Sequence, residues 1–404
     1  MAQLSVAMFC CFSNCSQFQL LNKTVSSVFL RKMCMKKLLL LTSLIALSAC
    51  NNDTPVFIED DNNIGSLPSI PPSPENNPTT DEKVKLGKLL FWDPILSGNK
   101  DIACASCHHP NHGYAENLDL SIGVGGSGLS ENRHGGKLIH RNAPTILNTA
   151  FNGMDEDGAV DPLNSPMFWD KRANSLEEQA LLVLQSDVEM RGDTISEDDI
   201  MQVLSERLLN IAEYRSLFNN AFGDETINAE RITQAIAAFE RSLIASNSPF
   251  DLYARGDENA LTDQQIRGMD AFVEAGCAQC HDGPMFSDFE LHQLPVKENA
   301  KLVQLGVVDE GNEKRFRTPS LRNLSFTAPY MHNGTEATLR DAILFYDDIA
   351  NPGNSEELAN LNFDDVDSET LDAIEAFIHA LSDDSFDKSI PQTVPSNLKP
   401  GGNI

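Results

Sequence analysis

The chain has 404 residues, 41% hydrophobic and 22% charged, with 30 Lys+Arg against 59 Asp+Glu and a formal net charge of −29. No stretch reaches about 18 consecutive apolar residues, which excludes a multi-span membrane protein, and the acidic balance excludes a nucleic-acid binder, because phosphates need a basic face. An acidic surface of this kind suits the steering of a basic protein partner, and the length suits two compact domains.

Residues 1–49 carry Lys23, Arg31, Lys32, Lys36 and Lys37 and no acidic residue, and the run LLLLTSLIALSA follows Lys36–Lys37. A basic flank, a short apolar core and small residues at its end read as a secretory signal. The segment Leu47-Ser48-Ala49-Cys50 is similar to a bacterial lipobox, which implies cleavage before Cys50 and a lipid on its sulfur. An ordinary signal with an incidental cysteine is the alternative. Signals rarely begin this far into a chain, so Met33 or Met35 is the expected start, with 1–32 mis-assigned. From Cys50 to residue 80 the chain is polar and broken by Pro68, Pro71, Pro72, Pro74 and Pro78. Such composition buries too little apolar surface to offset chain entropy, and predicts a disordered tether.

Helical signals dominate the rest. The Gly-rich stretch 111–144 is too long for a mere connector and is expected to shape a site. Ser175 with Glu178, and Thr262 with Gln265, predict capping boxes before LEEQALLVL and before the helix that ends at Gly276. Ile232, Ala235, Ile236, Phe239 and Leu243 repeat at helical spacing, as do Leu371, Ile374, Phe377, Ile378 and Leu381. No sustained alternation predicts a large sheet. The expected fold is mostly α, with two domains and long loops: 81–245 and 262–385, divided near 245–262. Prolines and Gly401–Gly402 predict a disordered tail over 389–404.

The cysteines say what the two domains hold. Of nine, Cys10, Cys11, Cys15 and Cys34 precede the cleavage site and Cys50 is the lipid candidate. The four others form Cys104-Ala-Ser-Cys107-His108 and Cys277-Ala-Gln-Cys280-His281, both C-x-x-C-H, the pattern of c-type haem attachment. Two thiols on one short turn add to two vinyl groups, and the next residue offers its imidazole to the iron. A disulfide framework does not require a following His in each pair. A zinc site gathers its four ligands in one small module, whereas these pairs are far apart in the chain.

The segments LGKLLFWDPILSGNKDIACASCHHP, RNAPTILNTAFN, MFWDKRA, LEEQALLVLQSDVEM, GCAQCHDGP and FRTPSLRNLSFTAPYMHNG, running in order from about Lys83, resemble the bacterial di-haem cytochrome c peroxidase family, including its methylamine-utilisation MauG branch. The resemblance covers the chain to about Leu381. It implies two cytochrome c-like domains facing each other with a calcium ion between, and often a homodimer. It implies a peroxide-reacting haem on His108 and an electron-receiving haem on His281. Trp169 matches the tryptophan between the haems, an electron relay; a packing tryptophan is the alternative. Gln179 and Glu189 match the active-site glutamine and the catalytic glutamate, whose carboxylate moves a proton between the two peroxide oxygens. Asn142, Thr327 and Pro329 fall at the calcium positions, where oxygen ligands suit a hard cation. Arg317 and Arg322 are candidate partners of the haem propionates, since a guanidinium fork matches a carboxylate.

Two departures matter. Where the better-known peroxidases have a methionine on the second iron, this chain has Tyr346, as the MauG-like branch does. A phenolate stabilises oxidised iron, so a lower potential is expected at the second haem. Packing as an aromatic is the alternative for Tyr346. After Ser121-Ile122-Gly123, where many members have a blocking histidine, stands Val124, which leaves peroxide access open unless His134 or His140 replaces it.

Three functions compete. The first is a periplasmic, lipid-anchored peroxidase reducing hydrogen peroxide with electrons from a small cytochrome c or cupredoxin, touching the membrane only through the anchor. The second is a MauG-like oxidase acting on a protein or organic substrate. The third, a di-haem electron carrier, has no use for Gln179 and Glu189.

Overall fold

Thr80 opens the first described helix, α1 (Asp81–Trp92), its side chain accepting from the Lys83 amide, and Leu86, Leu90, Phe91 and Trp92 form the helix's buried face. The computed structural model describes residues 54–58, 63–155, 157–307, 314–350, 358, 361–363 and 366–404. The expected signal, the expected start at Met33 or Met35 and Cys50 lie outside the described residues. Everything below belongs to one unit, Asp53–Ile404.

Four further helices surround α1: α2 (Leu176–Gln185), α3 (Glu197–Leu209), α4 (Ala212–Phe222) and α5 (Ala229–Arg241). Leu90, Leu184, Leu204, Phe218 and Ile236 meet in their common core. The chain then supplies α6 (Pro249–Ala254), α7 (Asp263–Glu274), α8 (Ala300–Leu305), α9 (Leu339–Ile349) and α10 (Ser368–His379). A second core gathers Phe250, Phe272, Phe286 and Phe377, whose rings meet edge to face, for example at 5.2 Å between Phe250 and Phe286. The chain passes from the first core to the second between Ile236 and Phe250. Two short antiparallel pairs complete the described elements. They are β1 (Gly126–Ser127) with β2 (His134–Gly135), and β3 (Leu291–His292) with β4 (Phe316–Arg317).

The two cores repeat one construction. A Cβ on Gly87 of α1 would lie 1.8 Å from the Ala235 carbonyl of α5, and one on Gly268 of α7 would lie 1.9 Å from the Ala373 carbonyl of α10. Only glycine allows backbones to cross so closely. In each half this crossing holds the helix that leads into a C-x-x-C-H turn, Cys104–Ser106 or Cys277–Gln279.

Helix starts follow their caps with one change. Thr262 and Gln265 form the expected reciprocal box. Ser175 accepts from the Glu178 amide, but the Glu178 carboxylate takes the Asn174 amide instead of closing the box.

The expected disordered segments need correction. From residue 63 the supposed tether is folded: Ile64 and Leu67 are buried, the Leu67 amide donates to Asp251 Oδ1, and the Asn77 side chain donates to Glu177 and to the Gln234 carbonyl. The tail 389–404 is a strap on the first core. Ser396 Oγ donates to Asp93 Oδ1 at 2.6 Å, the Gly401 amide to the Trp92 carbonyl at 2.7 Å, and the Gly128 amide to the Asn403 carbonyl at 2.7 Å. Ser106, inside the first cysteine turn, donates to the Gly401 carbonyl at 2.9 Å. Composition misjudged both segments because their polar backbone is satisfied by residues remote in sequence. At about 1 kcal/mol per well-made bond, deleting 396–404 is expected to cost at least ~3 kcal/mol. Thermal unfolding of the truncated protein checks this; an unchanged Tm would remove the strap's stabilising role.

Candidate active site

Both cysteine turns present their histidine in the same way. His108 Nδ1 lies 3.0 Å from the Tyr114 carbonyl and His281 Nδ1 lies 3.0 Å from the Phe286 carbonyl. A carbonyl only accepts, so each Nδ1 carries the proton and each Nε2 keeps its lone pair for a metal. Burial lowers the pKa of both imidazoles, which favours the neutral, ligating form. Burial also pushes the Cys104 and Cys277 thiols up to about 12, an environment for neutral sulfur or a thioether and not for a thiolate ligand.

His108 and His281, with all four cysteines, line one cavity of about 410 Å³. Helix α2 turns one stripe into it: Leu176, Gln179, Ala180, Val183 and Leu184, at i, i+3, i+4, i+7 and i+8. Four residues past the helix, Glu189 reaches the same wall, its amide bonded to Ser186 Oγ at 3.3 Å. Burial raises the pKa of this carboxyl; the Ser186 hydroxyl and Arg172 oppose the rise and Asp187 adds to it. The turn carrying Glu189 is pinned from outside by the loop at 121–124. A Cβ on Gly123 would lie 1.8 Å from the Val188 carbonyl, and the Val124 amide donates to that carbonyl at 3.0 Å. Arg133 holds this loop by donating to the Ile122, Gly123 and Gly128 carbonyls, with Glu116 3.4 Å away. Val124 is buried in the first core, while His134 and His140 are exposed and do not line the cavity.

In the other half, α9 turns Leu339, Ala342, Ile343 and Tyr346 to the cavity, again on one face. Burial, with smaller contributions from Cys277 and Cys280, raises the Tyr346 phenol well above its ordinary pKa. Trp169 stands between the halves: its indole donates to the Asn142 carbonyl at 3.0 Å, and its ring meets His332 edge-on at 6.5 Å. His332 in turn stacks on Phe316 at 3.7 Å. Asn142, Thr327 and Pro329 all line the cavity, and the Asn142 amide donates to the His332 carbonyl, tying the two segments together.

The two arginines part company. Arg317 lines the cavity; its guanidinium donates to the Phe168 and Thr318 carbonyls and has no ion-pair partner among the described residues. Burial lowers its pKa to about 10. Arg322 is corrected: it does not line the cavity but forms a buried ion pair with Asp251 at 2.9 Å and also donates to the Pro284 and Gly65 carbonyls. Sequence reasoning also missed Glu240, Asp288, His292 and His332. Glu240 lines the cavity from α5, and read alone it is one charge beside Arg241. The ligand atoms of Cys280, Asp288 and His292 lie within 4.8 Å of one another, with Asp288 and His292 paired at 2.8 Å beside the second cysteine turn.

The residues present fit haem. Two imidazoles with Nδ1 protonated, four cysteine sulfurs lining the cavity and its apolar walls suit the macrocycle, and Arg317 is a buried cation awaiting a carboxylate such as a propionate.

The family model for di-haem cytochrome c peroxidase matches residues 81–259. Cytochrome-c peroxidase IdrP1 of Pseudomonas sp. (strain SCT) is 36% identical over 354 residues, covering 79% of this chain and 85% of that protein. The chain belongs to the di-haem cytochrome c peroxidase family. Methylamine utilization protein MauG of Methylophilus methylotrophus is also 36% identical, over 284 residues covering 69% of this chain and 76% of that one. Among solved structures, a MauG-like protein associated with microbial copper homeostasis aligns with a TM-score of 0.61 and 28% identity, covering 78% of this chain and 93% of that one. The diheme peroxidase BthA from Burkholderia thailandensis, at 22% identity and a TM-score of 0.59 over 80% of this chain and 91% of its own, shares the fold. This member of the family carries two covalently bound c-type haems and is a cytochrome-c peroxidase-type oxidoreductase using hydrogen peroxide and a redox partner.

Proposed function

We propose that this di-haem peroxidase reduces hydrogen peroxide to water with electrons from a small cytochrome c or cupredoxin. The observation that carries this reading is the buried Glu189, set with Gln179 on the wall of the cavity that His108 enters. Cys104, Cys107 and His108 would hold the first haem, and Cys277, Cys280 and His281 the second, in two cytochrome c-like domains spanning 81–245 and 262–385. Haem bound there supplies an iron that accepts peroxide and exchanges electrons. Glu189 would take a proton from one peroxide oxygen and return it to the other, and the Gln179 amide would orient the substrate by hydrogen bonding. Trp169 would relay charge between the halves, and Arg317 would neutralise a propionate. Asn142, Thr327 and Pro329 would supply oxygens to calcium. Because Val124 offers no imidazole and the exposed His134 and His140 are not at the cavity, access to the first site would be open without prior reduction. Steady-state oxidation of a reduced small cytochrome by peroxide tests the reading; no peroxide-dependent oxidation would reject it.

Tyr346 on the cavity wall favours a second reading, a MauG-like oxidase acting on a protein or organic substrate. A tyrosine on the second iron would stabilise its oxidised form. Tyr346→Met is expected to raise the second haem's potential in a spectroelectrochemical titration, and an unaltered potential removes Tyr346 from the coordination shell.

For location we propose the periplasm with a lipid on Cys50. Cys50→Ala should shift the protein from the membrane to the soluble fraction; equal membrane retention rejects the anchor.

A further inference from the structure

The overall reaction consumes protons that Glu189 does not supply. Reduction of hydrogen peroxide breaks its O–O bond with two electrons and two protons and yields two waters. A carboxylate that carries a proton from one oxygen to the other leaves the proton count unchanged, so two protons must enter the cavity from solvent in each turnover. Among the described residues, Glu189 and Glu240 are the two carboxyl groups that line the cavity. Glu240 is 6% exposed and faces the cavity beside Ile236, one helical turn earlier on α5. Its side chain has no hydrogen-bond partner among the described residues.

Glu177 and Arg241, whose charges act on Glu240, belong to a polar cluster that reaches the surface. Glu177 accepts from Arg241 at 2.8 Å and from the Asn77 side chain at 2.7 Å, and Asn77 accepts from Lys83 at 2.8 Å. One Glu177 oxygen and one Arg241 nitrogen remain buried without a hydrogen bond. The Glu177 side chain is 18% exposed and reaches the protein's edge. Unsatisfied buried polar atoms in a row of acids and bases are costly unless they exchange partners in function.

We propose that Glu240 is the residue through which protons enter the cavity, drawing them from solvent by way of Glu177 and releasing them to the oxygens of the departing water. The proposal rests on the peroxidase reading above, and the electrons come from the reduced redox partner. The titratable groups around Glu240 are Cys104 from the first cysteine turn, Glu177 from α2 and its neighbour Arg241; Lys83 from α1 sits farther along, beside Glu177 and Arg241. Burial, reinforced by Glu177 and opposed by Arg241, pushes its carboxyl up to about 8. A relay group with a pKa near the working pH both gives up and regains its proton readily.

The test uses the haem-loaded full chain and the variants Glu240→Gln, Glu240→Asp and Glu189→Gln. Glu240→Gln is expected to lower kcat on the order of 100-fold with KM for peroxide and the haem absorption spectra unchanged. Glu240→Asp, which keeps an acid at the site, should recover part of that loss. Independently of turnover, infrared spectroscopy should show a protonated-carboxyl band titrating near pH 8, lost in Glu240→Gln and kept in Glu189→Gln. Wild-type kcat in Glu240→Gln, or survival of that band, overturns the proposal while leaving the peroxidase reading intact. A loss of kcat accompanied by an altered first-haem spectrum also overturns it, by assigning Glu240 a structural role. A wild-type enzyme inert towards peroxide overturns the peroxidase reading itself.

Discussion

Glu189→Gln is expected to lower peroxide turnover by roughly 10²–10⁴-fold while the protein stays folded and haem-loaded. The amide keeps the size of the carboxyl and the backbone bond from Glu189 to Ser186, so the turn held by Gly123 has no reason to move. What disappears is the group that accepts and returns a proton. The pH profile provides a second check. A base works ionised, and burial raises this carboxyl's pKa, so activity should be present above that raised pKa and fall as pH drops through it. The acid limb of the rate profile should therefore lie above the ordinary carboxylate range and vanish in the glutamine variant. Turnover equal to that of the wild type would remove Glu189 from the chemistry.

Asp251→Ala is expected to be the most destabilising single change, at about 3–5 kcal/mol, because it strips a buried cation of its counter-charge. Asp251 is fully buried and accepts from four donors: the amide and hydroxyl of Ser248, which caps its own helix, the Leu67 amide and Arg322. Its loss leaves Arg322, itself 2% exposed, with only the Pro284 and Gly65 carbonyls. Pro284 and Phe286 belong to the segment whose Phe286 carbonyl orients His281, so the variant should also disturb the second site. Chemical denaturation of the haem-loaded protein measures the cost; a change below about 1 kcal/mol would show that the guanidinium finds water or another partner.

Much of the site was legible because it is local. C-x-x-C-H places two sulfurs and an imidazole on one turn whatever surrounds it, and the Ser175 cap fixed where the helix carrying Gln179 begins, while Gln179 and Glu189 themselves came only from the resemblance to the family's motif. The helices around Ile236 and Ile374 were legible for the same reason. Arg322 was misjudged because an arginine in a promising motif does not reveal whether its partner is a ligand or an aspartate 71 residues earlier. Glu240 was passed over because a Glu beside an Arg on a helix reads as an ordinary charged pair. The segments at 63–80 and 389–404 were read as loose because composition reports what a stretch can bury by itself.

The sequence by itself determined the mostly helical character, the two haem-type turns and the acidic charge balance, since spacing, caps and composition act over a few residues. The tertiary structure alone decided which carboxyls face the cavity, which arginine is left for a ligand, and that a proline-rich tail ties down the first cysteine turn. Those outcomes depend on contacts between segments tens to hundreds of residues apart, where the desolvation of a charge or a backbone bond to a distant strand settles the role of a side chain.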